Sequence, residues 1–113
     1  PTRRSSDLRA AFEEALGIRR RLAAQHPAAY QPAVAMTLNN LGTVLGDLGE
    51  RAAARAAFEE ALELYWPFLE KWPQAFGEWF RICLRNYTNL VEETAEDPWW
   101  QVWRQWQAGA QDE

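Results

Sequence analysis

One cysteine, one histidine and no long apolar run set the first limits on this chain of 113 residues. A single thiol, Cys83, can build neither a disulfide framework nor a zinc site, which points to a reducing compartment. Cys83 lies within the apolar stretch Ile82-Cys83-Leu84 with no base beside it, and reads as a small core hydrophobe rather than a reactive group. No apolar segment approaches the ~18 residues that a membrane span needs, and no signal peptide is visible. A cytoplasmic location and no membrane partner follow as expectations. Basic residues are also too few. The formal charge is −4, which argues against nonspecific nucleic-acid binding.

Catalytic patterns are equally sparse. His26 precedes a helix-ending proline and reads as a packing or loop residue. Glu13-Glu14 and Glu59-Glu60 are sequence neighbours, so each pair splays around its helix and forms no opposed acid and base. Gly42, Gly46 and Gly49 are followed by no Lys-Ser/Thr, which excludes a phosphate loop. Metal-ligand spacing is absent. Asn86-Tyr87-Thr88 fits a glycosylation sequon, but inside a helical pattern it is read as chance. We therefore expect no enzyme activity, no metal and no cofactor.

What the sequence does contain is a repeat. Arg9-Ala10-Ala11-Phe12-Glu13-Glu14-Ala15-Leu16 recurs identically at Arg55-Ala56-Ala57-Phe58-Glu59-Glu60-Ala61-Leu62, 46 residues on. The same offset aligns Ile18 with Leu64, Pro27 with Pro73, Tyr30 with Phe76, Leu38 with Leu84 and Asn40 with Asn86. Eight consecutive identities mark an internal duplication. The second copy decays after Asn86, as expected of a terminal repeat whose outer face meets water.

The identity begins at Arg9, directly after Pro1-Thr2-Arg3-Arg4-Ser5-Ser6-Asp7-Leu8. That octapeptide is what a widely used short-read sequencing adapter encodes in one frame. Residues 1–8 are read as translated adapter joined to a truncated reading frame; the alternative is a natural Ser/Arg-rich leader with Asp7 as a helix cap. Without Arg3, Arg4 and Asp7 the chain keeps 10 basic and 15 acidic residues, so the acidic balance stands.

Helical periodicity runs almost throughout, and nothing alternates as a strand does. The pattern predicts helices at about 8–25, 32–47, 50–71, 75–95 and 98–108. His26-Pro27 and Trp72-Pro73 act as terminators, and Pro67 is expected to kink or divide the third helix. Asp97 is the expected cap and Pro98 the first residue of the fifth. The fold expected is all-α: antiparallel helix-turn-helix repeats stacked as a short α-solenoid of about five helices. Residues 9–108 are expected to form the repeat domain, divided into 9–31, the second helix of a preceding repeat, a complete unit at 32–74 and a degenerate capping unit at 75–108, with 109–113 as a frayed tail.

The unit from Leu38-Asn39-Asn40-Leu41-Gly42 through Leu64 resembles a tetratricopeptide repeat. Leu41-Gly42 match the Leu-Gly pair of that family's first helix, and Gly49 matches its small turn residue. Ala54, Phe58 and Ala61 match the small-aromatic-small positions of the second helix. The 46-residue period exceeds the usual ~34, Leu45 stands where a tyrosine is expected, and the closing proline is displaced. The longer period and the Leu38-Asn39-Asn40-Leu41 core look closest to the long-repeat branch typified by kinesin light chains, and bacterial arrays of that kind often accompany signalling domains.

The resemblance implies a module that binds a peptide or protein along a concave groove lined by the first helix of each repeat. Carried over by position, the partner-binding candidates are Asn39, Asn40, Thr43, Arg85, Asn86 and Asn89. An amide offers both donor and acceptor to a peptide backbone, and an arginine suits a carboxylate. The plainer reading is of solvated polar positions or caps between helices.

All seven tryptophans lie at or beyond Trp66. Trp99, Trp103 and Trp106 share a stripe with Val102, and Trp100 points off it as the expected exposed ring. With Trp100, these rings form a candidate aromatic interface. The alternative function is thus a structural or self-associating capping segment of a longer array, with the Trp-rich last helix as its contact surface.

Overall fold

The computed structural model describes residues 3–112, which form five α-helices and no strand. They are α1 (Arg3–Gln25), α2 (Pro27–Asp47), α3 (Arg51–Lys71), α4 (Pro73–Leu90) and α5 (Pro98–Asp112). Of the opening octapeptide, Pro1 and Thr2 lie outside the described residues, and Asp7 is inside α1 rather than capping it. Glu113 of the expected tail also lies outside them.

Several helix limits differ from the periodicity. α2 starts at Pro27 because a proline at the first helical position lacks only an N–H that would be unpaired anyway. It then runs through Pro32, which removes one rung of the ladder near exposed Ala28. α3 likewise continues undivided through Pro67. α4 stops at Leu90 rather than 95, because Val91 turns extended (φ −105°, ψ 130°). The carbonyl freed there accepts the Trp100 indole N–H at 3.0 Å. α5 extends past 108 to Asp112.

Its start is as expected. The Asp97 carboxylate accepts the backbone N–H groups of Trp99 (2.9 Å) and Trp100 (3.4 Å), and Pro98 opens the helix.

Single residues, His26 and Trp72, separate α1 from α2 and α3 from α4. These positions are 46 apart, and each ring meets the aromatic four residues on: His26–Tyr30 at 6.5 Å and Trp72–Phe76 at 6.4 Å. Between α2 and α3 the chain turns at Gly49, whose φ of +82° suits glycine.

α1 packs on α2, α2 on α3, α3 on α4 and α4 on α5, while α2 and α4 also meet side by side. The core runs through the middle three helices: Leu38 and Leu45 of α2, Phe58 and Leu62 of α3, Phe80 and Leu84 of α4. Ala54 and Ala61 are fully buried, as small residues must be where helices approach closely. Tyr87 is sealed as well, and its hydroxyl donates to Asp97 at 2.7 Å, tying α4 to the start of α5. The architecture is the all-α stack of antiparallel repeats that the periodicity and the duplication predict.

Candidate functional site

The site builds up from the line where α2 and α4 run alongside each other. These helices occupy the same place in successive copies of the duplication, so repeat-equivalent positions come side by side. Near the middle, the Asn86 amide donates to the Asn39 side-chain oxygen at 3.0 Å and bridges the two helices. The 46-residue offset aligns Asn86 with Asn40, yet the neighbour it meets is Asn39. Asn40 is exposed, one position further round α2.

Beyond the bridge the helices part. Gly42 and Gly46 of α2 leave out the side chains that would fill the space, opening a solvent-facing cleft of ≈ 230 Å³. Thr43, Asp47, Asn86, Asn89 and Leu90 rim it, and Phe58 forms its floor. The two glycines act differently. A β-carbon at Gly42 would fall 2.7 Å from Phe58 Cε1, whereas one at Gly46 would meet nothing within 4 Å.

The polar groups differ in what they have left to offer. The Thr43 hydroxyl donates back to the Asn39 carbonyl at 3.2 Å, which leaves its lone pairs as acceptors. Asn86 has committed one donor and keeps its oxygen. Asn89, Asn40 and Arg85 make no side-chain hydrogen bond or ion pair among the described residues. Of the six candidates, Thr43, Asn86 and Asn89 share the cleft, Asn39 holds Asn86 in place, and exposed Asn40 and Arg85 do not line it.

Towards the other end of the same seam lies a second, apolar cleft of ≈ 250 Å³, lined by Pro32, Ala33, Met36, Tyr65, Phe76 and Trp79. Trp79 is 50% exposed. The sequence reading missed Trp79 and Asp47, although a usable signal existed. Trp79, Asn86 and Asn89 recur at i, i+7 and i+10, one face of α4, and Asp47 stands one turn beyond Thr43.

The tryptophans of α5 require a correction. Trp100 is not the exposed ring: it is half-buried, and its indole N–H is spent on the Val91 carbonyl. It points off the α5 stripe, but the segment after α4 folds back to meet it. Trp99 packs edge-on against Trp66 (5.9 Å) and Phe80 (6.0 Å), Trp106 sits 5.2 Å from Phe80, and Trp103 is half-buried on the core. The rings most open to solvent are Trp72 and Trp79. Because α5 lies on the Trp66/Phe80 side, none of its residues lines either cleft along the α2/α4 seam.

Beneath the seam, Cys83 is fully buried with its thiol towards the Phe58 carbonyl (3.9 Å), and burial pushes its pKa up to about 12. It is a packing residue. Among the described residues, no helix is long and apolar enough to cross a membrane and no cluster of His, Cys, Asp and Glu could hold a metal ion.

Residues 34–65, which carry most of α2 and the first part of α3, match the family model described as tetratricopeptide repeat. The match supports a place in that family and falls on the unit whose Leu41-Gly42, Ala54 and Phe58 suggest it. No curated protein and no solved structure matches the chain.

Proposed function

We propose that the α2/α4 seam is the docking groove of a non-catalytic protein-interaction module, which holds an extended peptide segment of a protein partner. The observation that carries this reading is the open cleft beside the Asn39–Asn86 bridge. Its unpaired Asn89 amide, the Asn86 oxygen and the Thr43 lone pairs offer donors and acceptors of the kind a peptide backbone needs. The tetratricopeptide match supports the same class of function. The partner runs along the seam, with its backbone at Thr43, Asn86 and Asn89 and an apolar side chain in the Met36/Phe76/Trp79 cleft.

Exposed Arg85 and Asn40 flank this path and add contacts outside the clefts. In α5, packing of Trp99 and Trp106 on Phe80 supports a cap over the end of the stack in preference to an interface. We place the protein in the cytoplasm, consistent with its single buried thiol.

Panning a random peptide library against the folded chain and mapping the selected sequences by amide chemical shifts tests the reading. Shifts centred on Thr43, Trp79, Asn86 and Asn89 are expected. Peptides that map to α5, or a library that yields no specific binder, would overturn it.

A further inference from the structure

A third cleft, of ≈ 360 Å³, lies between α3 and α5 and shares no residue with the two clefts of the seam. Glu63 and Trp66 of α3 line it with Pro98, Trp99 and Val102 of α5, all inside the described chain. α5 packs on α4, and among the described residues its backbone does not approach that of α3. Rings bridge the gap instead. Trp66 and Trp99 meet at 5.9 Å and an angle of 64°, and each also contacts Phe80. The space they leave is a slot with two indole walls, apolar sides at Pro98 and Val102, and one carboxylate, that of exposed Glu63.

The repeat framework does not require this set. At the 46-residue offset, Glu63 and Trp66 align with Gly17 and Arg20. There the gap between α1 and α3 is bridged by an ion pair, Arg20 with Glu60. The second copy has an indole in place of that cation, and its Glu63 makes no ion pair or side-chain hydrogen bond among the described residues. The cations that α3 and α5 carry are engaged elsewhere. Arg51 donates to the Leu90 carbonyl, Arg55 pairs with Glu59 and Asp97, Arg104 pairs with Glu93, and Lys71 lies over Trp72. The cleft therefore combines two aromatic walls with an uncompensated negative charge.

We propose that this cleft binds a small alkylated ammonium compound, a quaternary amine of the choline type, with its cationic head at Trp66 and Trp99 and its charge answered by Glu63. Ring faces attract cations through their quadrupole, tryptophan most strongly, and the carboxylate adds direct charge attraction. Alkylation is what the rest of the lining selects. A primary ammonium is strongly hydrated and brings three donors, for which the lining offers only the Glu63 side chain as acceptor. Methyl groups in place of those donors meet indole, Pro98 and Val102 instead. Volume selects a small molecule, since the cleft lies near the low end of ligand pockets, which span about 300–1,000 Å³.

Titration of the chain with choline chloride, followed by NMR at the indole N–H resonances of Trp66 and Trp99, tests the proposal. Saturable shifts of both are expected, with a Kd on the order of millimolar. The neutral isostere of choline, with carbon in place of nitrogen, is expected to bind at least about fivefold more weakly, because it keeps the shape and loses the charge. Glu63→Gln, at an exposed and unpaired position, is expected to weaken choline about three- to tenfold. Far-UV circular dichroism verifies that this variant keeps its helix content. The proposal is overturned by resonances of Trp66 and Trp99 that do not move, by an isostere that binds as well as choline, or by undiminished affinity in folded Glu63→Gln. A peptide carrying trimethyllysine that binds there where choline does not also overturns it, since the occupant would then be a protein side chain.

Discussion

The ring of Phe58 lies so close to the Cα of Gly42 that a β-carbon there would stand 2.7 Å from Cε1. This contact sets the distance between α2 and α3 and lets one aromatic ring both fill the core and floor the cleft. Gly42→Ala is therefore expected to destabilise the fold by about 1–3 kcal/mol, since the buried ring must shift. Gly46, one turn on, meets nothing, and Gly46→Ala is expected to stabilise by about 0.5–1 kcal/mol through helix propensity. Urea denaturation of the two variants reads out opposite signs. Equal effects would refute the packing described here.

Asp97 joins two jobs, capping α5 and accepting the buried Tyr87 hydroxyl. Asp97→Ala removes a cap worth about 1 kcal/mol and strands a buried hydroxyl at about 1–3 kcal/mol, so a loss of about 2–4 kcal/mol is expected. Once Asp97 is alanine, Tyr87→Phe should cost little, because no bond remains to be broken. Additive losses in a double-mutant cycle would contradict the pairing.

Stability should fall in alkali. Burial raises the thiol of Cys83 from an ordinary 9.0 to about 12, and burial followed by the bond to Asp97 raises the Tyr87 phenol as well. These groups stay protonated in the fold, while the unfolded chain ionises first. Their contribution is thus complete below the unfolded values and lost as pH rises through the folded ones. Urea midpoints should be flat near neutrality and fall above about pH 9, by up to about 1.4 kcal/mol per pH unit for each group involved. Cys83→Ala should move the onset upward by about one pH unit, towards the tyrosine range. A profile unchanged by that substitution would refute the assignment.

Much of this fold is written locally. The duplication, the His26-Pro27 and Trp72-Pro73 breaks and the Asp97-Pro98 start are short-range signals, and the helices follow them. Proline misleads where a helix tolerates a missing rung, as at Pro32 and Pro67. The candidate cleft was legible in part: the tetratricopeptide resemblance put Thr43, Asn86 and Asn89 on the first helices of successive repeats, but not which faces meet. That Asn86 pairs with Asn39, and that Trp79 rather than Trp100 is open, depend on how α4 rotates against α2 and how residues 91–97 fold back. Those are tertiary facts, with no counterpart in local spacing.

The central claim is that peptide docks in the cleft between α2 and α4, and Gly46 offers the most direct test. Space is open there, so Gly46→Leu fills the cleft without disturbing the core. With a library-selected peptide, isothermal titration calorimetry should show binding weakened at least about tenfold, with the melting temperature equal to or above that of the parent chain. Undiminished affinity in a folded Gly46→Leu protein would contradict the account.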